Sequence, residues 1–319
     1  MRNILFTFLL SLVSTAALAG PFASPALPGE ATPPKGGAGS TDSPVVGGTT
    51  VPAGAYPDVA LVVAPMALCT GTLIAPDVVL TAGHCIETNP KEVLLGSVDY
   101  TDPAGEVIAV KKATAYPSWE TQFDVGVLVL DHASKAKPRP IASACAAKDL
   151  EIGATVKLVG FGLTSAAGTG DNSKLHQTNL TVTDPSCTSD RACAAAVAPN
   201  AEFIAGGDGK DSCFGDSGGP IYIDGALIGV VSRGIGTSAK PCGGGGVYVR
   251  ADRVVAWIEK TTGRTVSRST CDAPADGPGS DQSVAPADSG GCSTGTGVAG
   301  WLALVLVAGS ALVLARRQP

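Results

Sequence analysis

Histidine is scarce in this chain, three residues in 319, and aromatic side chains make up only 5 %. Any general base built on imidazole must therefore be His84, His132 or His176. An excess of positive charge is also missing. The formal net charge is -6, which gives no support to nucleic-acid binding. Glycine (41) and proline (23) are plentiful instead, a balance that favours strands and turns over long helices. Nine cysteines, read together with an export signal, indicate disulfides formed in an oxidising compartment. Their odd number leaves at least one outside that framework.

The segments differ in texture. Residues 1–19 carry Arg2, an apolar run from Ile4 to Val13 and the small-residue ending Ala17-Leu18-Ala19, the layout of a signal peptide for the Sec pathway. Residues 20–44 are rich in Pro, Gly, Ala and Ser and are expected to be a disordered propeptide. From Val45 to Thr262, short apolar runs such as Val59–Val63, Val78–Leu80, Val107–Val110, Val125–Leu130, Val156–Val159 and Leu227–Val231 alternate with Gly, Pro and Asp. Strands at this spacing predict an all-β sandwich or barrel. Arg253 to Lys260 reads as a helix closing the domain, with Val254, Trp257 and Ile258 on one face. Residues 263–291 are a solvated, flexible linker by composition. In residues 292–319 the uncharged stretch Val298–Ala315 precedes Arg316-Arg317, the pattern of a hydrophobic membrane anchor with its arginines on the cytoplasmic side.

The chemistry centres on Gly215-Asp216-Ser217-Gly218-Gly219-Pro220. A nucleophilic serine needs a reachable oxygen and backbone N–H groups aimed at the oxyanion, and small residues around it permit both. Alone, the stretch reads equally well as a turn-rich loop. His84 follows an apolar strand in Leu80-Thr81-Ala82-Gly83-His84-Cys85, and a Cys69–Cys85 disulfide would fasten the loop that carries it. His132 and His176 lack such surroundings and are expected at the surface. Asp124, at the head of Val125–Leu130, is placed to orient an imidazole.

With these three segments in order, His then Asp then Ser, the region from Val45 to Thr262 resembles the chymotrypsin/trypsin family of serine proteases. The resemblance implies two six-stranded antiparallel β-barrels and a C-terminal helix, no cofactor, and a triad of His84, Asp124 and Ser217 with an oxyanion hole at the N–H groups of Gly215 and Ser217. It implies a zymogen: Val45-Val46-Gly47-Gly48 matches the family's new N-terminus, and the ammonium of Val45 would pair with Asp216. Pro44 departs from the usual Arg or Lys, so another protease is expected to make the activating cut. Asp211 falls at the floor of the specificity pocket, with Ser232, Gly234 and Gly246 also lining it. The implied activity is peptide cleavage after Arg or Lys. Arg233 stands where the family usually has Trp, a change expected to shift upstream preference toward acidic residues, and one that could bring Arg233 over Asp211. The resemblance also implies a Cys213–Cys242 disulfide; Cys187 and Cys193 are near enough in the chain to pair locally although the family's second cysteine there is displaced, Cys145 and Cys271 are left over by elimination, and Cys292 is expected to be free.

Calcium-binding relatives have a loop after a strand like the one ending at Leu94-Leu95-Gly96. Here Ser97 replaces an acid and only Asp99, Asp102 and Glu106 are near, so no metal is expected. Gly291-Cys292-Ser293, the apolar run and the arginines resemble C-terminal sorting tails of Gram-negative surface proteins, especially the myxobacterial type. That implies an outward-facing tethered protein and a tail-processing membrane protease acting near Cys292. The rival function is an inactive protease homologue serving as a surface binding module. An esterase of unrelated fold, whose Gly-x-Ser-x-Gly pattern the chain also fits, is opposed by the β-rich surroundings and the His-first order.

Overall fold

The computed structural model describes residues 44–101, 104–197 and 199–270. The expected signal peptide, most of the propeptide, Cys271, Cys292 and the segment Val298–Ala315 lie outside them. Among the described residues no helix is long and apolar enough to cross a membrane.

The valine- and isoleucine-rich runs become strands because branched side chains pack well on a pleated surface. The strands, in chain order, are β1 (Thr49–Thr50), β2 (Val59–Ala64), β3 (Ala67–Ala75), β4 (Val78–Thr81), β5 (Glu92–Leu95), β6 (Glu106–Ala115), β7 (Gly126–Leu130), β8 (Thr155–Gly160), β9 (His176–Asp184), β10 (Glu202–Ala205), β11 (Pro220–Ile223), β12 (Ala226–Gly234) and β13 (Gly246–Arg250). They form two closed, six-stranded antiparallel barrels. The first runs β2-β3-β4-β7-β6-β5, and the second runs β9-β10-β13-β12-β11-β8, closed by β8 against β9, with β1 added to β9. At the β11–β12 hairpin, Asp224 (φ 45°) and Gly225 (φ 73°) form the two-residue loop that suits strand twist.

One apolar cluster fills the first barrel around Leu73, Val79, Ile108 and Leu128, and a second fills the other around Leu158, Phe203, Ile221 and Tyr248. A third spans the seam, joining Ile74, Leu80 and Val127 to Val159, Phe161, Leu227 and Val249. The seam is also fastened by a polar knot. Arg139 donates from Nε and Nη2 to Asp58 at 2.9 and 2.6 Å and from Nη1 to the Gly225 carbonyl at 3.0 Å. The Tyr222 hydroxyl donates to the same carboxylate at 2.7 Å, and the guanidinium lies 4.7 Å from the Tyr222 ring centre.

Three expectations need adjustment. The closing helix is Val255–Thr262, preceded by a tight turn at Ala251–Arg253 and ended by Gly263 at φ 67°. Glycine there satisfies the carbonyl of Glu259 in a left-handed cap. The segment after it is not linker: Val266 is buried, Arg264 pairs with Asp77 at 2.6 Å, and Ile141 exchanges backbone hydrogen bonds with Ser267 and Ser269. The domain therefore reaches at least Ser269. His176, expected at the surface, is buried at 3 % exposure, because strand alternation puts it on the inward face with Thr178, Leu180 and Val182. Burial pushes its pKa down to about 4 against the opposing pull of Asp171, so it is neutral. His132 is exposed, as expected.

Candidate active site

The site lies where the barrels meet. The short helix Gly83–Glu87 follows β4 directly and carries His84, and the Cys69–Cys85 disulfide ties that helix to β3. Asp124 sits two residues before β7, which pairs with β4, so strand pairing itself brings the acid to the imidazole. His84 offers two contacts: its backbone N–H donates to Asp124 Oδ1 at 2.9 Å, and Nδ1 lies 2.8 Å from Oδ2. The Ser232 hydroxyl, from the second barrel, donates to Oδ2 at 2.7 Å. Burial acts to raise the Asp124 pKa, but the hydrogen bond and charge of His84, with the Ser232 hydroxyl, outweigh it and hold the carboxyl below its ordinary value. With Nδ1 bound to the acid, Nε2 is the ring nitrogen left for another partner.

Ser217 lies on the loop between Asp211 and β11. Thr70 clamps that loop from the first barrel: its N–H donates to the Ser217 carbonyl and its hydroxyl to the Gly215 carbonyl, both at 2.8 Å. The Cys85 sulfur is 3.7 Å from the same Ser217 carbonyl, so Ser217 and the His84 helix adjoin. No direct hydrogen bond joins the Ser217 hydroxyl to His84 among the described contacts, as is common in a resting acyl-transfer site. Gly215 has φ 103°, a backbone angle open to glycine. Among the described residues, neither its N–H nor that of Ser217 has an acceptor in the chain.

Asp216 is fully buried, accepting N–H bonds from Gly162 at 2.8 Å and Cys213 at 2.9 Å. A Cβ at Gly160 or Gly162 would collide with its carboxylate, so both glycines are required by close approach. Burial pushes its pKa up to about 7, and among the described residues it has no cationic partner. Val45, its expected partner, is an internal residue buried in the second barrel's core at φ 39°, which a β-branched side chain disfavours.

Asp211 is also buried, accepting from the N–H groups of Ser212 (2.7 Å), Gly243 (2.8 Å) and Gly245 (3.1 Å). Burial pushes its pKa up to about 6 against those donors. Gly234 and Gly246 stand opposite each other across β12 and β13. A Cβ at Gly246 would come within 2.6 Å of the Tyr248 hydroxyl and 3.1 Å of the Ser212 hydroxyl. Gly246 thus lies beside Ser212, the residue that follows Asp211. Arg233 does not cover Asp211. It turns to Glu202, at 2.8 Å.

A family model described as Trypsin matches residues 45–258. The chain belongs to the trypsin family. Trypsin of Saccharopolyspora erythraea is 35 % identical over 220 residues, covering 65 % of this chain and 92 % of its own. Cationic trypsin-3 of Rattus norvegicus is 32 % identical over 234 residues, covering 69 % and 90 %. Among solved structures, mouse neuropsin, a serine protease expressed in the limbic system of the brain, superposes with a TM-score of 0.57 at 26 % identity, over 67 % of this chain and 98 % of its own.

This trypsin-family serine protease holds disulfides Cys69–Cys85, Cys187–Cys193 and Cys213–Cys242 among its described residues, and Cys145 is disulfide-bonded too. The only group of His, Cys and acidic side chains there with spacing for a cation is Cys69, His84 and Cys85, whose sulfurs are spent in a disulfide. Glu106 is occupied by the Ser134 hydroxyl and the Lys135 N–H. Sequence reasoning missed Thr70 and Glu202. Thr70 lies in the quoted Cys69-Thr70-Gly71 run, but a hydroxyl beside a cysteine carries no signal until the loop it clamps is folded against it.

Proposed function

We propose that this chain is a precursor of a trypsin-like endopeptidase that cleaves peptide bonds after Arg or Lys. The observation that carries this reading is the hydrogen-bonded set of His84, Asp124 and Ser232 adjoining the Ser217 loop, together with a buried Asp211 that accepts the Gly243 and Gly245 N–H groups. Ser217 Oγ attacks the scissile carbonyl as His84 Nε2 takes its proton. The N–H groups of Gly215 and Ser217 receive the oxyanion, and Asp124 stabilises the imidazolium. His84 then protonates the leaving amine, and water attacks the acyl-Ser217 ester by the same route in reverse. The acid at the pocket floor selects a cationic side chain.

Activation requires a cut between Pro44 and Val45, made by another protease. The freed ammonium pairs with Asp216, which has no cationic partner among the described residues. The protein is exported by the Sec pathway and faces outward, held by its C-terminal tail until a membrane protease acts near Cys292.

The full chain, cut to begin at Val45, is to be tested on matched peptides with Arg, Lys, Phe or Ala before the scissile bond. Expected are selective cleavage after Arg and Lys, none by Ser217→Ala, and one-to-one labelling by a serine phosphonate. Activity with another preference would sink the role of Asp211 alone. Folded, processed protein with neither turnover nor labelling would be an inactive homologue.

A further inference from the structure

At the site where the family usually carries tryptophan, Arg233 is built into the structure. The β12–β13 register slips between Val231, opposite Tyr248, and Arg233, opposite Val247, leaving Ser232 on a bulge. A bulge re-aims side chains, and Ser232 turns to Asp124. Every nitrogen of the Arg233 guanidinium is engaged: Nε donates to the Ala192 carbonyl at 2.6 Å, Nη2 to Glu202 Oε2 at 2.8 Å and Nη1 to Ser232 Oγ at 2.8 Å. Glu202 is 1 % exposed and takes a second bond from the Ala194 N–H at 2.7 Å.

A guanidinium only donates. Ser232 Oγ must therefore accept from Arg233, which leaves its single proton for Asp124 Oδ2. A hydroxyl that accepts from a cation is polarised into a stronger donor. We propose that Arg233, anchored by Glu202, is a positioning residue: it fixes the Ser232 hydroxyl as a donor to Asp124 and so sets how Asp124 holds His84. Glu202 neutralises the guanidinium, so this wall offers no free cation to acidic residues upstream of the cut, contrary to what the sequence suggests. The inference rests on the triad reading above.

The test uses full-length protein processed at Val45, in five forms: parent, Arg233→Met with Glu202→Gln, Ser232→Ala, those three changes together, and Arg233→Lys. Pairing the first two changes avoids stranding a buried charge. The substrate is an arginine ester with nothing upstream of the arginine, which cannot touch the wall at position 233. Expected in the paired variant is a kcat lower by about tenfold, the scale of one hydrogen bond to a charged group, with KM within about twofold, and a displaced downfield proton resonance of His84 Nδ1–H. In the Ser232→Ala background both effects vanish. Arg233→Lys, which lacks the planar fork that holds Ala192, Glu202 and Ser232 through three separate nitrogens, behaves like the paired variant. An undiminished effect in the Ser232→Ala background overturns the proposal, as do an unchanged kcat and resonance in a folded paired variant. Should the parent lack esterase activity, the triad reading fails, and the resonance alone decides whether Arg233 acts through Ser232.

Discussion

Cutting the chain before Val45 should change how its stability depends on pH, and Asp216 sets the size of the change. In the precursor this carboxyl is fully buried with two backbone N–H donors and no cation among the described residues, and its pKa is pushed up to about 7 from an ordinary 3.8. The folded carboxyl thus holds its proton more tightly than the unfolded one. Stability falls as pH rises from about 4 to about 7, and at about 1.4 kcal/mol per pH unit the loss attributable to Asp216 is about 4 kcal/mol. In the processed protein the Val45 ammonium should keep the carboxylate ionised and remove that slope. Asp211, raised to about 6 by burial and repelling the Asp216 charge, is replaced by Asn in both forms so that its own titration does not enter the comparison. The assay is urea unfolding of uncut and cut Ser217→Ala protein, disulfides intact, at steps between about pH 4 and pH 7.5. The gap between the two curves should widen by about 3–4 kcal/mol over that window. Parallel curves would refute the pairing of Val45 with Asp216.

Asp211→Asn should lower kcat/KM for Arg and Lys peptides by about a hundredfold or more, the scale of losing a buried charge partner, while sparing hydrolysis of a neutral active ester. In the parent, kcat/KM for Arg peptides should fall more steeply with acidity below about pH 6 than that for the neutral ester, as Asp211 takes up its proton. Thr70→Val should cost about 1–3 kcal/mol of stability by leaving the Gly215 carbonyl without its side-chain donor. It should also lower kcat more than it raises KM, read by thermal unfolding and ester kinetics. Arg139→Met strands the Asp58 carboxylate at the seam and should cost about 3–5 kcal/mol, whereas adding Asp58→Asn should recover much of it.

Much of the site could be read in the sequence because local chain geometry carries it. Gly215 to Pro220 needs small residues wherever it folds, and the strand before His84 and the strand after Asp124 are neighbours whose pairing brings base and acid together. The six apolar runs fall in strands save for Val125, one residue ahead of β7, and Asp224-Gly225 suits a tight hairpin. The burial of His176 is not legible in the sequence because inward and outward faces of a strand differ by one residue, and composition does not say which face meets the core. The packed segment Arg264 to Ser269 looks like linker because its contacts with Asp77 and Ile141 come from far away in the chain.

By itself, then, the sequence determined an all-β sandwich or barrel and the chain order of His84, Asp124 and Ser217, since both rest on residue type and short spacing, whereas the pair of barrels and the pocket residues came only as what the family resemblance implies. Only the tertiary structure decided where Arg233 points, that Glu202 is buried beneath it, and that Thr70 and the Arg139–Asp58 knot bind one barrel to the other. Those interactions join residues 31 to 145 positions apart, and hydrogen bonds at such range are made only when the second barrel closes on itself and packs against the first.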